Sequence, residues 1–209
     1  MSIEKAYNSW ANQYDTNDNK TRDLDTLATV EVLSNYGFKN VLELGCGTGK
    51  NTAWLLNKAE RILGLDFSSE MLNIAKEKIT DGKVEFQKAD LNQEWKVENQ
   101  FADLVTSSLT LEHIHDLNHI FGQAFNKLKA NGLFFICELH PFKQYVGSKA
   151  KYESENGIEE LTVFTHHISD YIENAERNNF ELLEIKEWFD EKPKKDIPRL
   201  ISFVFKKKN

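Results

Sequence analysis

The stretch Val41-Leu42-Glu43-Leu44-Gly45-Cys46-Gly47-Thr48-Gly49 decides the fold of this chain. Its first half, apolar with one acidic residue, is typical of a buried parallel strand, and its second half carries three glycines at alternate positions. Glycine permits a sharp reversal from strand to helix and lets a ligand lie against bare backbone. Lys50 to Lys58 is helical in composition. The loop is therefore expected at a helix N-terminus, where free N–H groups favour a negative group.

The spacing of the glycines distinguishes among nucleotide-binding loops. A dinucleotide loop, Gly-x-Gly-x-x-Gly, needs its last glycine where this chain has Lys50. A phosphate-binding P-loop needs Gly-Lys-Ser/Thr after a four-residue gap, but here the gap is wrong and Asn51 follows Lys50. A second short apolar strand, Ile62 to Asp66, ends in an acid that is placed to accept hydrogen bonds from two ribose hydroxyls.

Five segments of the chain resemble, in order, the five successive motifs of class I S-adenosylmethionine-dependent methyltransferases. They are VLELGCGTGKNT, LGLDFSSEMLNIA, VEFQKADLNQEW, FADLVTSSLTLEHIHD and LKANGLFFICELHP, between about Val41 and Pro141. The resemblance is closest to the small-molecule branch that includes the ubiquinone and menaquinone C-methyltransferases. It implies a Rossmann-like α/β fold, a doubly wound sheet of seven strands that is mostly parallel with an antiparallel C-terminal strand, and helices on both faces.

Length and composition limit the class of protein that this chain can be. A chain of 209 residues suits one domain with a sheet covered on both faces, so we predict a single methyltransferase domain over residues 1–209. The net charge of -7 argues against nucleic acid or an anionic membrane as the main partner. No signal-peptide pattern begins at Met1, and the longest fully apolar run, Leu133 to Cys137, is too short to span a bilayer. We expect a cytoplasmic monomer or homodimer.

Residues 1–22 are predicted to form an N-terminal helix and loop. One helical face over residues 4–16 carries Ala6, Tyr7, Trp10 and Tyr14. One interpretation is a helix packed on the domain. The other, implied by the resemblance, is a lid that closes over the cofactor, because family helices of this kind end in Tyr-Asp as Tyr14-Asp15 does. Arg22 would then reach the methionine carboxylate of the cofactor, and the next helix is predicted over residues 23–36 with Gly37 as its C-cap.

The remaining strands are predicted from apolar runs and turn residues. They are Val84–Gln87, Ala102–Ser107, Leu133–Glu138 after a turn at Asn131-Gly132, Phe180–Trp188 and Leu200–Phe205. The last two resemble the antiparallel pair that closes this fold. Residues 142–167, which follow the motifs, are predicted to be a variable insertion near the acceptor pocket.

The cofactor that the resemblance implies is S-adenosylmethionine, with S-adenosylhomocysteine as the product. Ser68 suits the N-cap of the helix after Asp66, and Met71 suits either the core or the flank of an adenine. Asp90 is either a surface loop residue or an acceptor for the adenine amine, and its position at a strand end favours the ligand. The predicted cofactor-binding residues are Tyr14, Arg22, Glu43, Gly45, Cys46, Gly47, Asp66, Phe67, Ser68, Met71, Ala89, Asp90, Leu91, Ser107 and Leu109.

Methyl transfer from a sulfonium needs the nucleophile, the methyl carbon and the sulfur nearly in line, and holding that geometry supplies much of the acceleration. A base is needed only for a protonated acceptor such as a hydroxyl or an amine. Neutral imidazole suits that task, so His113, His140 and His166 are the candidate catalytic residues, with a structural role open for each. The predicted acceptor-binding residues are Trp10, His113, His140, Tyr145, His166 and His167. No metal site is predicted, because the histidines lack further ligands at suitable spacing.

The sequence therefore predicts an enzyme that transfers a methyl group from S-adenosylmethionine to a small organic acceptor. O- or N-methylation is favoured, because histidines suit an acceptor that must lose a proton. Two alternatives are open. One is a non-catalytic S-adenosylmethionine-binding sensor or scaffold, and the other is a nicotinamide-dependent reductase, which Lys50 disfavours.

Overall fold

The computed structural model describes residues 3–148, 151–154, 157–190 and 197–209. The strands are β1 (Asn40–Leu44), β2 (Arg61–Asp66), β3 (Val84–Lys88), β4 (Ala102–Ser108), β5 (Leu128–Leu139), β6 (Lys151–Ser154), β7 (Gly157–Glu160), β8 (Phe180–Trp188) and β9 (Leu200–Lys207). The helices are α1 (Ile3–Tyr14), α2 (Lys20–Leu33), α3 (Lys50–Leu55), α4 (Ser69–Lys78), α5 (Leu117–Lys127), α6 (Pro141–Tyr145) and α7 (Ile168–Arg177), with a 3-10 turn at Leu111–His113.

Seven of these strands form one sheet in the order β3-β2-β1-β4-β5-β9-β8. All neighbours from β3 to β5 are parallel, whereas β9 runs antiparallel to both β5 and β8. This arrangement confirms the predicted Rossmann-like sheet with its antiparallel C-terminal strand. The strand order reverses between β1 and β4, and ligands of open α/β sheets bind outside the carboxyl ends of the strands at such a point.

The parallel strands are buried on both faces, as their continuous apolar sequences require. In β5, Phe134 and Ile136 pack in a cluster with α5 and α7, and the alternate residues Phe135 and Cys137 pack with α2 and α3. A third, smaller cluster joins α4 to Phe86 of β3. Helices therefore cover both faces, which confirms the doubly wound architecture.

Helix α2 begins and ends three residues earlier than predicted. The Asn19 side chain accepts hydrogen bonds from the amides of Thr21 and Arg22, both at 3.0 Å, and so caps the helix from within the predicted polar loop. The predicted C-cap at Gly37 is wrong, because the helix ends at Leu33 and the ammonium of Lys58 donates to the Leu33 carbonyl at 2.8 Å. No helix within the described ranges is both long and apolar enough to cross a membrane.

The turn predicted at Asn131-Gly132 is an irregularity inside a longer strand. β5 begins at Leu128, and its register with β4 shifts so that Ala102 pairs with Leu128 but Leu104 pairs with Leu133. Asn131 adopts a left-handed conformation with φ 60°, which asparagine tolerates better than most residues. The extra residues form a bulge rather than a break in pairing.

The segment predicted as an insertion, residues 142–167, contains α6 and a two-stranded antiparallel sheet of β6 and β7. The sequence did not predict this pair of strands. Within the segment, residues 149–150 and 155–156 lie outside the described residues. At its end, the Phe164 amide donates to the Glu112 carbonyl at 2.7 Å, which ties the segment to the turn after β4.

Candidate active site

The glycine loop between β1 and α3 is held in a left-handed conformation. Gly45, Gly47 and Gly49 have φ values of 65°, 53° and 82°, which residues with a side chain rarely adopt. A Cβ at Gly45 would lie 2.1 Å from Oγ1 of Thr110, so that position also requires close packing. A Cβ at Gly47 would meet nothing within 4 Å, because this glycine faces open space where a ligand can approach the backbone.

Asp66 at the carboxyl end of β2 organises this loop. Its Oδ2 accepts a hydrogen bond from the Gly47 amide at 2.9 Å, and its Oδ1 accepts one from the Ser68 amide at 2.8 Å. Burial raises the pKa of Asp66 to about 6, and the amide hydrogen bonds oppose that rise. The carboxylate thus fixes the loop on one side and faces a cavity on the other.

A first cavity opens at the carboxyl ends of β1, β2, β3 and β4. It brings together most of the predicted cofactor-binding residues, namely Tyr14, Gly45, Gly47, Asp66, Phe67, Met71, Ala89, Asp90, Leu91 and Leu109. Its walls are mainly apolar, and Asp66 and Asp90 lie at the ends of two neighbouring strands. This combination suits an adenosine group, whose ring is apolar on its faces and whose ribose and amine donate hydrogen bonds.

A second cavity adjoins the first across the glycine loop and has a more polar lining. The predicted residues Arg22, Glu43 and Cys46 line it, together with Asp25. Glu43 accepts a hydrogen bond from Oγ1 of Thr52 at 2.5 Å, and burial raises its pKa to about 8. A guanidinium and two carboxyls in one enclosed space suit a ligand that carries both a carboxylate and an ammonium.

Two predicted serines do not line these cavities. Ser68 is buried and acts as the N-cap of α4, its Oγ accepting from the Met71 amide at 3.2 Å. Ser107 is fully buried, and its hydroxyl has no hydrogen-bond partner among the described residues. The next residue, Ser108, lines both cavities instead, because side chains alternate along β4.

Helix α1 lies against the same end of the sheet. Asn8 accepts a hydrogen bond from the Ser68 hydroxyl at 2.7 Å, and Asp15 accepts one from the Thr48 hydroxyl at 2.8 Å and pairs with Lys78. Glu4 pairs with Lys88 at 2.7 Å. These contacts fasten α1 and the residue after it to the glycine loop, to the loop after β2, to the end of β3 and to α4.

His113 is the candidate catalytic histidine that lines the first cavity. Its Nδ1 lies 3.2 Å from the Thr162 carbonyl, which can only accept, so Nδ1 carries the proton and Nε2 accepts from the Tyr7 hydroxyl at 2.9 Å. Burial lowers the pKa of His113 and keeps the ring neutral near pH 7. The lone pair of Nε2 is thus directed at Tyr7 of α1.

His140 and His166 form hydrogen bonds within the fold and do not line the first cavity. His140 is fully buried; its Nδ1 accepts from the Phe142 amide at 3.1 Å and its Nε2 faces Glu187 at 3.2 Å. His166 donates from Nε2 to the carbonyls that bracket the 3-10 turn, of which the Ile114 carbonyl is the nearer at 2.8 Å. Burial lowers the pKa of both rings.

A third cavity lies between α1 and the loops after β4 and β5. Its lining includes the predicted residue Trp10 and also Tyr7, Leu109, Glu112, Leu139 and Arg199. Tyr7, Tyr14 and Leu109 line both the first and the third cavity, so the two adjoin. Tyr145 and His167 instead bond to each other, and Tyr145 is half exposed.

Sequence reasoning missed several residues at these cavities. Tyr7 has a place on the predicted helical face but no predicted role, and the resemblance places Glu112, with His113, at the rim of the reaction pocket without giving it a role of its own. Thr110 lies against Gly45, a contact that no local pattern shows. For Tyr7 the signal was available, because it shares one helical face with Trp10 and Tyr14, which were predicted to lie at the site.

The residues present fit S-adenosylmethionine. Gly47 leaves open the space that a Cβ would fill, and the Asp66 carboxylate, which can accept hydrogen bonds from hydroxyls, lines the first cavity beside it. Arg22, which lines the second cavity, is buried with an Nε that has no hydrogen-bond partner among the described residues. A carboxylate in the second cavity would satisfy that donor.

Comparison with known proteins gives the same class. The family model described as "Methyltransferase domain" matches residues 42–136. A demethylmenaquinone methyltransferase of Leptospira interrogans is 32% identical, over 54% of this chain and 48% of the relative. A malonyl-[acyl-carrier protein] O-methyltransferase of Priestia megaterium is 28% identical, over 62% and 48%, and a phosphoethanolamine N-methyltransferase of Triticum aestivum is 33% identical, over 64% and 28%. The chain therefore spans about half the length of these relatives, or less.

Solved structures share the fold. An S-adenosylmethionine-dependent methyltransferase from Mesorhizobium loti superposes with a TM-score of 0.74 at 19% identity, covering 88% of this chain and 98% of that one. The DhpI protein, in a complex with S-adenosylmethionine and HEP, superposes with a TM-score of 0.77 at 20% identity, covering 98% and 99%. Residues 42–136 therefore match a methyltransferase domain, and the sequence relatives indicate an S-adenosylmethionine-dependent enzyme, whose fold the solved structures share.

Proposed function

We propose that this enzyme transfers a methyl group to an oxygen or nitrogen atom of a small organic acceptor by in-line displacement. The observation that carries the proposal is that two cavities suited to the cofactor adjoin a third cavity that could hold the acceptor. The first cavity and the polar second cavity suit the cofactor, and the third cavity adjoins them at Tyr7, Tyr14 and Leu109. Relatives named as an O-methyltransferase and an N-methyltransferase support both kinds of acceptor.

The chain's own residues would bind and orient the two reactants. The cofactor supplies a methyl group on a cationic sulfur. Asp66 and Asp90 would hold its adenosine part, Glu43 and Asp25 would face its ammonium, and Arg22 would hold its carboxylate. Holding the acceptor in line with the methyl carbon supplies much of the acceleration.

We further propose that residues 1–209 act as one methyltransferase domain in which residues 1–22 are the lid. The bond between Asp15 and Thr48 and the bond between Asn8 and Ser68 support this role, since they hold α1 against the cofactor side of the sheet. A closed lid excludes water and strengthens the electrostatic interactions inside. We expect residues 142–167 to complete the acceptor side from the opposite direction.

Among the candidate bases we propose His113, because its unprotonated Nε2 lies at the cavity with the Tyr7 hydroxyl next to it. A proton leaving the acceptor would pass to the Tyr7 oxygen as the Tyr7 proton moves to Nε2. His140 and His166 would position the loops around the site, since both use their ring nitrogens within the fold.

Incubation with S-adenosylmethionine labelled in its methyl group tests the proposal. A panel of small amines, alcohols, thiols and carboxylates is supplied, and labelled product is separated by chromatography. Labelled product from an amine or an alcohol is the expected result. Tight binding of S-adenosylhomocysteine without product from any acceptor would favour the sensor or scaffold instead, and deletion of residues 1–15 should abolish turnover if the lid is real.

A further inference from the structure

Glu112 is a largely buried carboxyl that receives little hydrogen bonding from the rest of the fold. Only 12% of its side chain is exposed, and it lines the third cavity. Among the described residues its nearest donor is the side-chain amide of Gln144, at a long 3.4 Å from Oε2. Glu138, in contrast, accepts two backbone amides at 3.0 Å through Oε1, although its Oε2 has no partner among the described residues. Burial raises the pKa of Glu112 to about 7, and the hydrogen bond from Gln144 opposes that rise.

The two arginines that line the third cavity have partners elsewhere. Arg199 pairs with Asp190 through Nε and Nη2 and donates from Nη1 to the Thr21 hydroxyl at 3.0 Å. Arg22 lies over the ring of Tyr14, 4.3 Å from its centroid, and donates to the Asn17 carbonyl at 2.9 Å. Both arginines therefore bond away from Glu112, which is the carboxyl that lines this cavity, and Arg22 keeps one Nε donor without a partner among the described residues.

The wall beside Glu112 is aromatic. The rings of Tyr7 and Trp10 line the cavity with their centroids 6.0 Å apart. Aromatic faces attract cations, and the attraction grows where water is excluded. A carboxyl and two aromatic rings that line one cavity suit a positively charged nitrogen.

We propose that the third cavity binds an acceptor that carries a basic amine, and that Glu112 accepts hydrogen bonds from its N–H groups. The inference rests on the proposed function and narrows its acceptor to one chemical class. An ammonium would supply the donors that Glu112 lacks, and a charge-assisted hydrogen bond of this kind is about twice as strong as a neutral one. A carboxylate acceptor would have to approach a buried carboxyl of like charge.

Binding of three matched probes to the S-adenosylhomocysteine complex tests this inference. Benzylamine, benzyl alcohol and benzoate are titrated by NMR at about pH 7, where a primary amine is protonated and a benzoate is ionised. We expect benzylamine to bind about tenfold more tightly than benzoate. Glu112→Gln should abolish this preference without changing the affinity for S-adenosylhomocysteine. Glu77→Gln, on the exposed face of α4, removes the same charge elsewhere and should leave the preference intact.

Three outcomes would overturn the inference. Benzoate that binds as tightly as benzylamine would point to Arg22 or Arg199, equal effects of Glu112→Gln and Glu77→Gln would indicate a nonspecific charge effect, and binding of no probe would mean that the cavity does not take an amine. In each case S-adenosylhomocysteine binding and the labelled-methyl assay report separately on the proposed function. Failure to bind S-adenosylhomocysteine would refute that function itself.

Discussion

The hydroxyl of Tyr7 donates to Nε2 of His113 across 2.9 Å, and this bond ties α1 to the turn after β4. The Tyr7 ring also packs 5.7 Å from Phe67, so the ring and the hydroxyl hold the helix by different forces. The Thr162 carbonyl fixes the His113 tautomer that makes the bond. Three separate segments of the chain therefore meet at one imidazole.

Tyr7→Phe should loosen α1 without unfolding the protein, because the ring packing is kept and one hydrogen bond is lost. A net loss of about 1 kcal/mol should raise amide exchange in residues 3–14 about fivefold. Hydrogen-exchange mass spectrometry checks the exchange, and the labelled-methyl assay should show lower turnover. Ser9→Ala removes an exposed hydroxyl from the same helix and serves as the control. Equal exchange in wild type and Tyr7→Phe would contradict the role of the bond.

Gly47→Asn should remove cofactor binding at little cost in stability. Asparagine tolerates the left-handed backbone at this position, and its side chain would occupy the open space that Gly47 leaves. Calorimetric titration with S-adenosylhomocysteine should show an affinity at least about tenfold lower, which is about 1.4 kcal/mol. Gly82→Asn, in a surface turn with free space around it, is the matched control. Wild-type affinity in Gly47→Asn would exclude the glycine loop as the binding site.

Asp66→Asn should weaken both binding and folding. The carboxylate accepts one amide on each oxygen, and an Asn side chain would turn an NH2 group toward one of those donors. An unpaired buried group costs about 1–3 kcal/mol, so the melting temperature and the cofactor affinity should fall together. Asp81 accepts the Lys83 amide with one oxygen only, so Asp81→Asn should change neither quantity. A normal melting temperature in Asp66→Asn would show that the loop is held by other contacts.

Glu138→Gln should make stability less dependent on pH. Burial raises the folded-state pKa of Glu138 to about 8, above its ordinary 4.5, so its contribution is complete below about pH 4.5 and is lost as pH rises through 8. Within that window the contribution falls by about 1.4 kcal/mol per pH unit. The glutamine side chain is uncharged, but its carbonyl oxygen can still accept the amides of Thr110 and Leu111.

Urea unfolding at about pH 5.5, 6.5 and 7.5 measures this dependence. Glu43 and Glu112, whose pKa values burial also raises, are present in both proteins, so their own burial acts on both slopes. The difference between the slopes therefore reports Glu138. Parallel slopes would mean that Glu138 is ionised in the folded protein at neutral pH.

The parallel part of the fold follows from local sequence, and the exceptions arise where a distant residue intervenes. The glycine spacing after β1 and the acid at the end of β2 predict where these strands end, because each feature depends on the residues of one short segment. The end of α2 does not follow from Gly37, since the ammonium that binds the last carbonyls belongs to Lys58, which follows the next helix. Residue periodicity carries no information about such a partner.

The residues of the first cavity were easier to predict than those of the third, because most of the former lie at strand ends that follow from local sequence. Asp66 and Asp90 lie at strand ends that the parallel topology must bring together. In sequence, the resemblance favours His113 over the other candidate histidines, and the partners of each ring in the fold distinguish them further. His113 keeps a lone pair for Tyr7, whereas both nitrogens of His140 serve the fold. Ser107 and Ser108 are neighbours in β4, so their side chains point to opposite faces of the sheet. A prediction that is wrong by one residue therefore selects the buried serine instead of the one at the cavities.

The position of β9 has a consequence for how the chain folds. This strand follows β5 and β8 in sequence but lies between them in the sheet. Until β9 docks, β5 has an unpaired apolar edge, and Phe203 and Phe205, fully buried in the finished sheet, have nothing to cover them. An intermediate that lacks β9 thus exposes the kind of edge that pairs with other chains. Aggregation during refolding should therefore compete with docking of the last strand and grow with protein concentration.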